Sequence, residues 1–228
     1  MLMLWVGGGS RDSQDASCGT CLFMSVEDLI KEGLEHFAIS HTPVMVEKLS
    51  FFVQELERWN TRVNLTARHP VEWMIRELLC DTFFLFDIIR GAASALDVGS
   101  GSGILAIPIA ILDGRMQLFS VDRTLRKIQF QRHIKRSLDL TGLTPIHGRI
   151  EGLELLAVDA LLAKGFGPAP VILGKGGLHL KEGGFAYLLK GRTEKESVHA
   201  GFSLEQVLPY RLPGSSKEYR LFVYKKVS

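Results

Sequence analysis

The chain has 228 residues, 46% of them hydrophobic and 23% charged, with a formal net charge of +2. That length suits one ordinary domain plus a small subdomain around a sizeable buried core. No apolar run reaches the roughly 18 residues of a membrane span, which argues against a membrane role. The slight positive charge admits nucleic acid as a partner without arguing for it.

Residues 1–23, MLMLWVGGGSRDSQDASCGTCLF, show no sustained period and are expected to form a disordered extension. A signal peptide is a weak alternative because the basic leading segment is missing. Met24, followed by Ser25 and a clean helical pattern, is a candidate for the true start. Cys18 and Cys21 form a C-x-x-C without the second ligand pair or βαβ setting of a metal or redox site, so no metal is expected. Cys80 reads as a buried small hydrophobe. Three cysteines fit a reducing cytoplasm better than a disulfide scaffold.

Residues 24–90 read as a helical subdomain. Ser25 can cap a first helix, VEDLIKEGLEHF, with Asp28 at its third position. Thr42 and Pro43 start a second, in which Leu49, Phe52, Val53 and Leu56 share one face. Pro70 opens a third, VEWMIRELLCDTFFLFDII. Between the second and third lies Trp59-Asn60-Thr61-Arg62-Val63-Asn64-Leu65-Thr66, whose asparagines and threonine suit the closing of backbone hydrogen bonds in a long connection.

Residues 91–228 alternate strand and helix patterns. Strands are expected near 94–98, 117–121, 144–147, 157–162, 184–190, 203–210 and 219–226, with helices between the first five. This predicts an α/β fold with a mostly parallel sheet and right-handed crossovers. The turn-rich PGSSKE should make the last two strands a hairpin, with the final strand antiparallel.

The centre of this region is Ala95 to Ala106, ALDVGSGSGILA. A strand ends at Asp97, Gly99, Gly101 and Gly103 follow on alternate positions, and a helical pattern begins at Ile104. Turns without Cβ atoms take φ > 0 and let a ligand lie against backbone amides. The third glycine comes one residue earlier than in the dinucleotide fingerprint, which weakens a hydride-transfer reading. Asp97 before the turn and Asp122 after the next strand suit a ligand with a cationic centre and a free ribose. The turn resembles motif I of the class I S-adenosylmethionine-dependent methyltransferases, which implies a Rossmann-like seven-stranded sheet and S-adenosylmethionine as cofactor. On that reading the amides of Gly99, Ser100, Gly101 and Gly103, with Ile104 at the helix start, face the amino-acid portion of the cofactor, helped by the helix N-terminus. Asp122 accepts from the ribose hydroxyls.

The W-N-x-x-x-N-L-T segment, an acidic residue (Asp81) on the following helix, D-V-G-x-G-x-G, Asp122 with its basic helix, Gly148-Arg149-Ile150-Glu151 and Leu189-Lys190-Gly191 are together similar to the glucose-inhibited division protein B family. These are 16S ribosomal RNA guanine-N7 methyltransferases, and the likeness spans roughly residues 25–228. It implies that Ile150 and Glu151 hold the adenine, that 16S RNA in the small ribosomal subunit is the partner, and that the protein is a cytoplasmic monomer.

A basic side fits that implication. Residues 123–136 carry Arg123, Arg126, Lys127, Arg132, Lys135 and Arg136 with no acid among them, and Lys164, Lys175, Lys181 and Lys190 add to it. Arg123, Arg126 and Lys127 are candidates for phosphate binding. Lys164 and Lys190 are candidates to hold the RNA or steady the base, and Arg76 to clamp a phosphate. Guanine N7 has no proton to lose, so alignment is expected to matter more than a general base. Two positions depart from the family's pattern: Ala163-Lys164-Gly165-Phe166 stands where S-R-A-F is usual, and Arg76-Glu77 where R-H is usual. Lysine keeps the charge of arginine and loses its bidentate fork. Two further readings stay open at this point: a methyltransferase of a small molecule, and a cofactor- or RNA-binding protein without turnover.

Overall fold

A computed structural model describes residues 24–67, 69–191 and 199–227. The extension at 1–23, with Met1 and the Cys18/Cys21 pair, lies outside these residues. Ser25 caps α1 (Val26–His36) by accepting from the Asp28 amide, and its hydroxyl donates back to Asp28 at 2.8 Å. Thr42 caps α2 (Pro43–Asn60) through the Met45 amide, with Pro43 in the first turn. Each cap satisfies a donor that the helix cannot, a contribution of about 1 kcal/mol. Leu49, Phe52, Val53 and Leu56 are all buried, as their spacing predicts.

The third helix forms where predicted but is not uniform. It runs as α3 (Val71–Met74), a π-helical turn over Ile75–Leu79, and α4 (Cys80–Ile89). A π turn carries one more residue per hydrogen bond than an α turn and often marks a functional site. Here it keeps Ile75 and Leu79 buried while Arg76 reaches Glu32 of α1.

The seven strands are β1 (Ser94–Val98), β2 (Gln117–Asp122), β3 (Leu143–His147), β4 (Val158–Lys164), β5 (Leu180–Lys190), β6 (Phe202–Tyr210) and β7 (Tyr219–Lys226). Their order is β3-β2-β1-β4-β5-β7-β6, with the first five parallel and β7 antiparallel to both neighbours. The connecting helices are α5 (Ala106–Leu112), α6 (Leu125–Leu138) and α7 (Ala169–Gly176). One expectation fails: β3 and β4 are joined by a single 3-10 turn at Ile150–Gly152 rather than an α-helix. The intervening Leu153 to Leu156 carry no regular structure.

Alternation along β1 divides the core. Ala95 faces a cluster with Phe52, Phe83, Ile107 and Phe130, which α1, α2 and α4 share with α5 and α6. Leu96 and Val98 face a smaller cluster with Ile172, Leu188 and Tyr224 on the other side. Each fully buried Leu, Ile or Phe contributes about 1.5–3 kcal/mol. The W-N-x-x-x-N-L-T segment docks α2 onto α6: Trp59 stacks on His133 at 5.3 Å, and Asn60 Oδ1 accepts from the Leu65 and Thr66 amides at 2.9 and 3.1 Å. The strand order reverses between β1 and β4, and in open α/β sheets such a switch point opens a crevice at the strands' carboxyl ends. Among the described residues, no helix is long and apolar enough to cross a membrane.

Candidate functional site

A cleft of about 420 Å³ opens at that crevice, bordered by Gly99 after β1, Asp122 to Thr124 and Lys127 after β2, Gly148 to Glu151 after β3, and Gly165, Phe166, Val171 and Lys175 after β4. Gly99 has φ +67°, and a Cβ there would stand 2.1 Å from the Phe166 ring. Only glycine therefore permits both the turn and the ring beside it.

The turn is held from within the protein. The Ser100 amide donates to Val121 O at 3.0 Å, the Gly101 amide to Asp122 Oδ2 at 3.0 Å, and the Gly103 amide to Ser100 O at 2.8 Å. Gln131, buried on α6, donates to Ser100 Oγ and to Gly101 O, and accepts from Ser120. This corrects the expectation of free amides across the turn: Ser100, Gly101 and Gly103 spend theirs on protein acceptors, and of the turn glycines Gly99 borders the cleft. Ile104 also lies away from it, its carbonyl accepting from Thr82 Oγ1 at 2.7 Å.

Asp97 is corrected as well. It is 1% exposed beneath the turn and does not border the cleft. Its Oδ2 is buried and has no hydrogen-bond partner among the described residues. Burial pushes its carboxyl up to about 7.

Asp122 does border the cleft. Its Oδ2 accepts from Gly101 and its Oδ1 from the Thr124 amide at 2.7 Å, which fixes the carboxylate and leaves each oxygen a second lone pair. Ile150 is buried on the far wall, its carbonyl 3.2 Å from His179 Nε2. Glu151 is exposed at the rim and pairs with Lys175 at 2.6 Å, which holds its carboxyl below the usual range.

A second cleft, of about 500 Å³, shares Gly165 with the first. Asp81, Lys164, Lys190, Tyr210 and Tyr219 border it. Lys164 Nζ pairs with Asp81 Oδ2 and donates to Glu77 O at 3.2 Å, while Lys190 Nζ donates to Gly167 O. Tyr210 donates its hydroxyl to Asp81 Oδ1 at 2.7 Å, and Tyr219 donates to Glu77. Burial and the neighbouring carboxylates raise both phenols above their usual range, so both remain donors.

Three basic residues are already paired within the protein, and one of them, Lys181, is not on the side the sequence suggests. The Arg76 guanidinium is held by Glu32 at 3.0 Å and Glu72 at 3.2 Å, which removes it as a phosphate clamp. Lys181 pairs with Asp159, which in turn accepts from Ser94 at the opposite end of β1. Lys175 is paired with Glu151. On the basic helix side, Arg123 and Lys127 border the first cleft and Arg126 is exposed beside them.

Residues 45–221 match the model of the family described as rRNA small subunit methyltransferase G. The chain belongs to that family. It is a methyltransferase that uses S-adenosylmethionine, and small-subunit ribosomal RNA is its substrate. A relative named ribosomal RNA small subunit methyltransferase G from Geobacter sp. (strain M21) is 30% identical over 213 residues, covering 89% of this chain and 98% of that one. The protein of the same name from Neisseria meningitidis serogroup C is 27% identical, covering 89% and 100%. Among solved structures, a SAM-dependent methyltransferase from Aquifex aeolicus superposes with a TM-score of 0.52 at 12% identity, over 77% of this chain and 97% of that one. The B. subtilis tRNA methyltransferase TrmK superposes at 0.50 with 17% identity, over 66% of each chain. These likenesses establish the class I methyltransferase fold.

The first cleft fits the cofactor in size and chemistry. Its volume lies within the range of small-molecule sites, its Asp122 carboxylate is oriented by two amides, and Gly99 presents bare backbone to it. Gln131, Tyr210 and Tyr219 are absent from the sequence-based expectations, and Phe166 is given no site role there. Gln131 carried a readable signal, since it shares the buried helical period of Ile128 and Ile134 within an otherwise basic stretch. The two tyrosines carried none.

Proposed function

We propose that this chain methylates N7 of one guanine in 16S ribosomal RNA, acting on the small ribosomal subunit as a cytoplasmic monomer. The observation that carries the reading is the meeting of two clefts at Gly165, one fitted to the cofactor and one bordered by the ammonium groups of Lys164 and Lys190. S-adenosylmethionine, when bound, supplies a methyl group on a cationic sulfur. Asp122 accepts from the ribose hydroxyls with its remaining lone pairs, Ile150 packs against the adenine, and Glu151 exchanges its lysine partner for the exocyclic amine. Lys164 or Lys190 donates to guanine O6, one of the two acceptors that cationic donors read on that edge, and leaves N7 to the methyl group. N7 has an in-plane lone pair and no proton, so orientation replaces general-base chemistry. Arg123, Arg126 and Lys127 meet the RNA backbone beside the first cleft.

The test is incubation of the purified chain with radiolabelled S-adenosylmethionine and small subunits lacking the modification, followed by N7-specific strand scission. Label at a single guanine is the expected result. Label elsewhere on the RNA, or none with cofactor bound, removes the N7 assignment.

A further inference from the structure

The second cleft contains a feature that its lysines do not explain. Phe84, Tyr210 and Tyr219 form a row of rings: Phe84 and Tyr210 stack with centroids 4.0 Å apart and planes 14° apart, and Tyr210 and Tyr219 follow at 5.6 Å and 30°. Tyr210 is buried in the apolar core, whereas Tyr219 is half-buried and borders the cleft. The row thus leads from the core to a ring beside open space.

Both phenols are anchored at the hydroxyl. Tyr210 donates to Asp81 and Tyr219 to Glu77, one helical turn apart on the π/α helix. Asp81 is itself paired with Lys164. A ring held at both its backbone and its hydroxyl has little rotamer freedom left to lose when a ligand packs on it, which favours binding.

We propose that Tyr219 is the stacking platform for the splayed-out acceptor base, with Glu77 fixing the plane of its ring. This deepens the reading given under Proposed function and rests on it for the identity of the base. Proteins that act on a base in folded RNA take it out of the helix and stack it on an aromatic face. Methylation at N7 also makes a purine cationic, and a cation is attracted to the face of a phenol ring. The platform therefore favours the methylated base over the unmodified one, the direction that lowers the barrier.

Two measurements test this. Steady-state methylation is compared for the parent chain, Tyr219→Phe, Tyr219→Trp and Tyr219→Leu, with cofactor affinity measured by calorimetry in each. Loss of the ring should lower kcat/KM for the subunit by roughly tenfold or more, the scale of one base–aromatic stack, with cofactor affinity unchanged. Tyr219→Trp should keep most of the activity because every aromatic face stacks, and Tyr219→Phe, which keeps the ring and loses the Glu77 anchor, should fall between the parent and Tyr219→Leu. Equal activity of Tyr219→Leu and Tyr219→Phe overturns the proposal while leaving the methyltransferase reading intact. Independently of turnover, short-wavelength ultraviolet cross-linking of the parent chain to 16S RNA should place a nucleotide adduct on the peptide containing Tyr219. An inactive parent that still gives this adduct overturns the N7 reading and supports the platform; cross-linking confined to other peptides overturns the platform.

Discussion

Lys164 Nζ lies 2.6 Å from Asp81 Oδ2, with side-chain exposures of 22% and 5%. The ammonium at the junction of the two clefts is therefore held by a carboxylate from α4. Removing it leaves the Asp81 carboxylate buried without its counter-charge, with the Tyr210 hydroxyl still donating to it. Lys164→Met should cost about 2 kcal/mol in urea unfolding, below the 3–5 kcal/mol of a fully buried pair because Lys164 keeps some solvent. Adding Asp81→Asn should recover much of that stability without restoring methylation. A double variant as unstable as Lys164→Met would show that the pair does not hold α4 to β4.

Asp122 joins the glycine turn to the start of α6 by accepting from Gly101 and Thr124. An amide in its place keeps one acceptor and turns two donors toward a backbone donor. Charge-assisted hydrogen bonds of this kind contribute about 1.5–3 kcal/mol. Calorimetry of Asp122→Asn should show cofactor affinity reduced by roughly tenfold to a hundredfold.

Gly99 and Phe166 are mutually exclusive with a side chain at 99. Gly99→Ala places a methyl group 2.1 Å from the ring at a backbone φ of +67°. Cofactor binding should be abolished in the single variant. Gly99→Ala with Phe166→Ala removes the overlap and keeps only the backbone strain of about 1 kcal/mol, so binding should return in part.

Burial raises the Asp97 carboxyl from 3.8 to about 7. The folded state then holds a proton that the unfolded chain releases near pH 4, and stability falls as pH rises through the interval from about 4 to 7. Above pH 7 both states are ionised and this contribution is constant. Asp97→Asn carries no such proton. Urea unfolding at pH 5 and pH 8 should show the variant gaining on the parent by about 2.6 kcal/mol at most. An equal difference at the two pH values would falsify the assignment to Asp97.

Arg123 and Arg126 are exposed at the start of α6, whereas Lys181 lies at the other end of the sheet. Removing one cation that neutralises a phosphate should reduce the slope of log K against log salt by about one. Filter binding of 16S RNA should show that change for Arg123→Ala and Arg126→Ala, and none for Lys181→Ala.

Residues with local causes are legible in the sequence. Ser25 with Asp28, Thr42 with Pro43, and the glycines between β1 and α5 act within a few positions of themselves, and their patterns predict the caps and the turn. Arg76 is legible only in part: Glu72 lies one helical turn before it, but Glu32 comes from another helix. The amides of Ser100, Gly101 and Gly103 look open in the sequence because their acceptors on β2 and in the turn itself depend on how close β2 lies. The π turn at Ile75–Leu79 leaves no trace there either, since an apolar helical pattern looks the same with or without one wide turn.

By itself the sequence determined the seven strands in chain order, the glycine turn that ends β1, and the likeness to the family. The strands and the turn follow from local propensity, from periodicity and from spacing along the chain, whereas the family follows from the likeness of the motifs. Tertiary structure alone decided which polar groups remain for a ligand. Tyr210 meets Asp81 across 129 residues and Tyr219 meets Glu77 across 142. Those contacts exist because β7 inserts between β5 and β6 in a fixed antiparallel register. A shift of one residue in that pairing would turn each tyrosine to the opposite face of the sheet.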